Sequence, residues 1–367
     1  MTAVQDKFTH GGNIYEILRE AGSAKPLHDF SANINPLGMP QTVQAVIEQN
    51  LKALIHYPDP QAVELKQAIA AFYRVPEAAL ILGNGAVELL YVLFHAMRPR
   101  KVLIPVPSFG EYERAARAAQ AKILYQEMSP EQDFQLDWQE LMAKLPEADC
   151  LVLGNPNNPT GTFVPETTLR QVLLEAKKQN CFVVTDESFI DFVPENEKYT
   201  GRALLADHEN LLILQSLTKM YAIPGLRLGF AMTNPALVKK MEWGKDPWNV
   251  NLLAQKAGIA ALADSQYQAD TIACIHKEKF YLWQELQKIN GIKAYEPTVN
   301  FILLDVAGSG FTAEQFRQAM LAENILVRDC SNYPGLDGAY IRIAVKLRED
   351  NEILLRVMRK VLKGTSI

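Results

Sequence analysis

Short runs of consecutive apolar residues punctuate the middle of the chain, and each ends in a polar or glycine-rich turn. Ala79-Leu-Ile-Leu82 leads into Gly83-Asn84-Gly85, and Lys101-Val-Leu-Ile-Pro105 into Val106-Pro107-Ser108. Asp149-Cys-Leu-Val-Leu153 leads into an Asn-Pro stretch, Cys181-Phe-Val-Val-Thr185 into Asp186, and Asn210-Leu-Leu-Ile-Leu-Gln215 into Ser216. Strands covered on both faces lose the polar alternation of half-exposed ones and read as such continuous runs. Helical stretches lie between them, so the pattern predicts an α/β fold with a mainly parallel sheet. The C-terminal third changes character. A long helical stretch around Gln266–Gln287 precedes short strands near Phe301-Ile-Leu-Leu304 and Tyr340-Ile-Arg-Ile-Ala344, which predicts a second, smaller α+β domain. Each polar motif begins where an apolar run stops, and open α/β sheets bind ligands beyond the carboxyl ends of their strands.

The bulk numbers narrow the class. The 367 residues suffice for a large core and more than one domain. Lys+Arg 37 against Asp+Glu 42 leaves a net charge of −5, which gives no support for nucleic-acid or anionic-membrane partners. No apolar run approaches the roughly 18 residues of a membrane span. The start, Met-Thr-Ala-Val-Gln-Asp-Lys, has no basic region followed by an apolar core, so no signal peptide is expected. Cys150, Cys181, Cys274 and Cys330 are scattered with no CxxC, which suggests reduced thiols and a cytoplasmic protein. Nothing suggests a metal site, an internal repeat or a low-complexity linker.

Candidate chemistry lies in a fixed order. Gly83-Asn84-Gly85-Ala86-Val87-Glu88 follows one run and opens an apolar helix, where free N–H groups and the helix dipole suit a phosphate. Asn155-Pro-Asn-Asn-Pro-Thr-Gly161 places Asn158 28 residues before Asp186-Glu187. Ser216-Leu217-Thr218-Lys219 precedes Arg227, which lies within Gly225-Leu-Arg-Leu-Gly229. Each piece has an ordinary explanation: a surface lysine, an aspartate capping a helix, an Asn-Pro turn, a core phenylalanine at Phe109. Together they match the needs of pyridoxal 5'-phosphate. Lys219 offers an amine for the aldehyde, Asp186 a carboxylate for the pyridine nitrogen, and Asn158 a donor for the ring oxygen. Ser216, Thr218, Arg227 and the turn at Gly85, Ala86 and Val87 would form the phosphate cup, with Phe109 stacked on the ring. Arg342 lies inside an apolar strand, where an arginine is costly without an anion.

This constellation resembles the fold-type-I pyridoxal-phosphate enzymes, over nearly the whole chain from about His10 to Ala344. The resemblance implies a mainly parallel seven-stranded large domain at 41–250. It also implies a small domain built from 1–40 and 251–367. It implies that Arg342 holds the substrate carboxylate. Tyr57, in His56-Tyr-Pro-Asp-Pro60, would reach the phosphate bound by a partner subunit, so a homodimer with shared active sites is expected.

The general group is that of the histidinol-phosphate aminotransferases. Four segments are closer to the threonine-phosphate decarboxylases of cobalamin biosynthesis: His10-Gly-Gly-Asn13, Phe30-Ser-Ala-Asn-Ile-Asn-Pro-Leu-Gly38, Ser216–Gly225 and Val327-Arg-Asp-Cys330. By that likeness His10, Asn33, Asn158, Arg328 and Arg342 bind a phospho-amino acid. Aminotransferases of the group carry a tyrosine three residues after the aspartate, whereas this chain has Phe189, which resembles the decarboxylase pattern. The expected activity is a carboxy-lyase acting on L-threonine O-3-phosphate. The alternatives are histidinol-phosphate aminotransfer or, third, a non-catalytic regulator. The chain starts near the family's own start, so the regulators' helix-turn-helix is not expected.

Overall fold

The computed structural model describes residues 10–21 and 27–363. In chain order the strands are β1 (His28–Asp29), β2 (Leu80–Gly83), β3 (Lys101–Val106), β4 (Lys122–Glu127), β5 (Cys150–Gly154), β6 (Phe182–Asp186) and β7 (Leu211–Ser216). They continue with β8 (Gly229–Thr233), β9 (Lys293–Ala294), β10 (Phe301–Asp305), β11 (Ile325–Leu326), β12 (Arg328–Asp329) and β13 (Tyr340–Ala344). A seven-stranded sheet has the order β2-β8-β7-β6-β5-β3-β4. Only β8 runs antiparallel to its neighbours within it.

The continuous apolar runs are explained by burial on both faces. Along β7, Leu211 and Ile213 join one apolar cluster, and Leu212 and Leu214 join the other. The helix Ala86–Met97 covers one face with Leu89, Leu90, Leu93 and Phe94. On the opposite face the helix Glu166–Lys178 contributes Leu169, Val172, Leu173 and Ala176. Two strands of this sheet escape the sequence reading. β4 is an edge strand of mixed polarity (Lys-Ile-Leu-Tyr-Gln-Glu), and β8 begins with a glycine directly after the Arg227 motif.

A second sheet, of order β12-β13-β10-β9, is antiparallel throughout. The long helix runs over Ser265–Leu286, with Asp264 accepting from the Tyr267 N–H at its start. β1 pairs in parallel with β11, so the chain near residue 28 docks beside the C-terminal strands. The peptide bonds preceding Pro107, Pro156 and Pro159 are cis. Among the described residues no helix is long and apolar enough to cross a membrane.

Candidate active site

The motif residues collect along one edge of the seven-stranded sheet, because β2, β3, β5, β6 and β7 all end there and β8 begins there. Gly83 and Ser216 both pair in register with Gly229, which brings the Gly85 turn, the Lys219 segment and Arg227 into one place.

Gly85 has φ +87, and a Cβ on it would lie 2.2 Å from Nη2 of Arg227. Only glycine lets the guanidinium lie against this turn. The Gly85 N–H already donates to the Gly83 carbonyl at 2.8 Å. This corrects its expected role as a phosphate donor: Gly85 supplies room and conformation instead. The helix it introduces has no side-chain cap, so the N–H groups of Ala86 and Val87 open its positive end beside Arg227. Arg227 itself adopts φ +60, the left-handed region that disfavours a residue with a side chain.

Lys219 sits on the short helix Leu217–Met220, directly after β7. Its Nζ donates to Ser216 Oγ at 3.4 Å, and Ser216 Oγ lies 2.8 Å from Thr218 Oγ1. Burial drives the amine down to about 8; Arg227 and Arg342 push the same way, against Asp186. The Phe189 ring centroid lies 5.9 Å from Nζ. Phe189 is 7% exposed and packs edge-on against Phe301.

Asp186 ends β6 with both carboxylate oxygens engaged. Oδ2 accepts from the Tyr112 hydroxyl at 2.9 Å. Oδ1 accepts from the Ser188 N–H at 3.0 Å and its hydroxyl at 2.5 Å. Burial and the Asp186 charge raise the Tyr112 phenol well above its ordinary range, so it stays a donor. Phe109 packs edge-on against Tyr112, 5.7 Å between centroids.

Asn158 and Arg342 meet: Nη1 of Arg342 donates to Asn158 Oδ1, and Nη2 donates to the Ser31 carbonyl at 2.8 Å. The amide oxygen is thereby occupied, which leaves the Asn158 NH₂ as the donor. Arg342 Nε is buried with no hydrogen-bond partner among the described residues. Across the small sheet Arg342 stands in register opposite Arg328, and both are buried. Arg328 Nη2 donates to Asn332 at 2.7 Å. Asn33 is buried too, with Oδ1 unpartnered among the described residues. The His10 ring lies 5.4 Å from Phe109 and bonds Glu111 through Nε2 at 2.6 Å.

Tyr57 stands apart from this group. It is 77% exposed and packs against Trp248 in a tilted pair, 4.7 Å between centroids. Three residues of the site went unassigned by sequence reasoning: Glu111, Tyr112 and Ser188. No local signal marks them, since a polar residue at a helix start or strand end has an ordinary explanation.

The family description "Aminotransferase class I and II" matches residues 25–358. The chain belongs to this family. Threonine-phosphate decarboxylase of Salmonella typhimurium is 38% identical over 97% of this chain and 97% of its own length. The crystal structure of L-threonine-O-3-phosphate decarboxylase from Porphyromonas gingivalis matches with a TM-score of 0.80 and 28% identity. The match covers 91% of this chain and 99% of that one. Histidinol-phosphate aminotransferase from Clostridium acetobutylicum matches with a TM-score of 0.87 and 30% identity, covering 92% of this chain and 100% of that one. The central sheet and its connections are those of the fold-type-I enzymes, and the fold is common to relatives named for two different reactions.

Proposed function

We propose that the protein is a pyridoxal-phosphate-dependent carboxy-lyase that converts L-threonine O-3-phosphate to (R)-1-aminopropan-2-yl phosphate and CO₂, a step of cobalamin biosynthesis. The observation that carries the substrate class is the register of Arg328 opposite Arg342. The buried Arg342 keeps an Nε without a hydrogen-bond partner among the described residues, and a second buried guanidinium, that of Arg328, stands opposite it in register, an arrangement that favours anions between them. An amino acid phosphate brings two anionic groups, a carboxylate and a phosphate, and planar guanidinium forks suit both. The preference for decarboxylation is supported by the likeness to threonine-phosphate decarboxylases and by Phe189, which has no hydroxyl to donate.

The residues present fit the cofactor. The Gly85 turn that a Cβ would fill, the uncapped N–H groups of Ala86 and Val87, Ser216, Thr218 and Arg227 make a cradle for its phosphate. Asp186, held by Tyr112 and Ser188, retains lone pairs for the pyridine N–H. When bound, pyridoxal phosphate supplies an aldehyde for an amine and a ring that accepts the electron pair left when a bond at Cα breaks. Lys219, whose amine titrates near 8, exchanges protons readily at neutral to mildly alkaline pH. Its Nζ would deliver the proton that takes the place of the departing carboxylate. Arg342 and the Asn158 amide would orient that carboxylate before it leaves. Arg328, His10 and Asn33 would hold the substrate phosphate.

In this reading residues 41–250 hold the cofactor, and a smaller domain drawn from both ends of the chain carries the substrate arginines. Tyr57, exposed together with Leu54, Ile55 and Trp248, would contact a second copy and complete that copy's phosphate site. The four cysteines are free thiols, which suits the cytoplasm.

The structural likeness to a histidinol-phosphate aminotransferase favours a second reading, amino transfer to 2-oxoglutarate. Histidinol phosphate and 2-oxoglutarate supplied together separate the two. Sustained glutamate formation would replace the lyase reading with the transferase; no glutamate is expected.

A further inference from the structure

We infer that Glu111 is a positioning residue that sets His10 for the substrate's phosphate, an inference that rests on the function proposed above. Glu111 opens the helix Glu111–Ala118, where an acidic residue ordinarily stays in water beside the positive helix end. Instead it is 6% exposed. Oε1 accepts from His10 Nε2 at 2.6 Å and from Arg114 Nη1 at 3.4 Å, and Oε2 accepts from the Tyr91 hydroxyl at 3.2 Å. Burial pushes the carboxyl up, but the His10 bond, Arg114 and Tyr91 together bring it below its ordinary value, so it is charged in place. A buried charge needs close partners, and His10 is the nearest.

The segment carrying His10 is pinned independently. The Gly12 N–H donates to Ser31 Oγ at 2.8 Å, and a Cβ on Gly11 would lie 2.1 Å from the Ser31 carbonyl oxygen. That same carbonyl accepts from Arg342. One residue therefore fixes both the His10 segment and the arginine assigned to the substrate carboxylate. Within this frame Phe109 and Glu111 hold the imidazole from two sides. A carboxylate accepting from Nε2 turns Nδ1 away from Glu111, and a phosphate accepts from that nitrogen only as Nδ1–H, so the ring that binds it carries a proton on each nitrogen. Without Glu111 the ring would lose the carboxylate that accepts from Nε2 and would sample other rotamers, and the phosphate would lose a directed donor. A substrate with no phosphate would lose nothing, so Glu111 serves discrimination for phosphorylated over free threonine.

The test uses the full chain as purified, with E111L, H10A and the double variant. E111L is expected to raise KM for L-threonine O-3-phosphate about tenfold, the worth of one charge-assisted hydrogen bond, with kcat within about twofold. The double variant should be no worse than H10A alone. In protein labelled with ¹⁵N-histidine and given inorganic phosphate, the long-range ¹H–¹⁵N spectrum should show a proton on both His10 ring nitrogens, and loss of the Nδ1 proton in E111L. Should E111L fail to fold, E111Q serves, because its amide can face His10 with either a donor or an acceptor. Unchanged protonation of the His10 ring in E111L, or KM effects that multiply in the double variant, would overturn the inference. A wild-type protein that releases no CO₂ would instead overturn the proposed reaction, and the His10 spectra with inorganic phosphate would still decide the role of Glu111.

Discussion

Nη1 of Arg342 donates to Oδ1 of Asn158 across a sequence separation of 184 residues. The contact ties the small sheet to the loop after β5, so the proposed substrate arginine and the proposed ring-oxygen donor hold each other. Arg342→Lys keeps the charge but loses the fork that reaches Asn158 and Ser31 together. Two charge-assisted hydrogen bonds are at stake, so kcat/KM should fall about 100-fold or more. Steady-state kinetics check this, and a loss under about threefold would contradict the assignment.

The Lys219 amine titrates near 8 in the folded protein against an ordinary 10.5. Between those values the unfolded chain holds a proton that the folded chain has released, so stability of the cofactor-free protein should rise with pH across that window. Lys219→Met should lessen this rise, leaving the share of Lys279, whose amine burial also lowers to about 8, measured as the change in denaturant midpoint from pH 8 to pH 10.5. Because Arg342 is one of the groups lowering the amine, Arg342→Gln should move the onset of the rise to higher pH.

Gly85→Ala places a methyl 2.2 Å from Arg227 Nη2 at a residue whose φ is +87. The strained backbone should cost about 1–3 kcal/mol. Arg227 must also withdraw from the turn. The expected outcome is a lower Tm and a Kd for pyridoxal phosphate raised by an order of magnitude or more, read from an absorbance titration.

Glu187 adjoins Asp186 but faces the other way, fully buried, where Thr200 Oγ1 and the Gly201 N–H donate to it at 2.5 and 2.7 Å. Burial raises its carboxyl from 4.5 to about 7. Between these values the folded state holds a proton that the unfolded chain has lost. Its contribution is therefore full at acid pH and lost as pH rises through about 7. Glu187→Gln should be destabilised by about 1 kcal/mol at pH 5, since it keeps the shape but weakens one hydrogen bond. The deficit should shrink or reverse by pH 8, as a Tm series would show.

Much of the architecture was legible because burial on both faces writes itself into sequence. All five apolar runs became strands, each within one residue of its expected start. The same reasoning missed β4, whose Lys-Ile-Leu-Tyr-Gln-Glu mixes polar and apolar residues at a sheet edge, and the glycine-led β8. Site residues at strand ends were legible for a related reason: Asp186, Ser216 and Lys219 stand where continuous apolar runs stop. Long-range pairing was not legible. Glu111 reads as an ordinary helix-start acid until His10, 101 residues away, is seen against it. The Arg328–Arg342 register likewise exists only once β12 and β13 are aligned. Phe189 was noticed as a departure, but only its place 5.9 Å from Lys219 Nζ gives that departure a site.

The central claim is tested most directly by giving the cofactor-loaded protein L-threonine O-3-phosphate with no keto acid and following CO₂. The account predicts one CO₂ released for each aminopropanol phosphate formed, sustained over many turnovers. No CO₂ release from the loaded protein would contradict it.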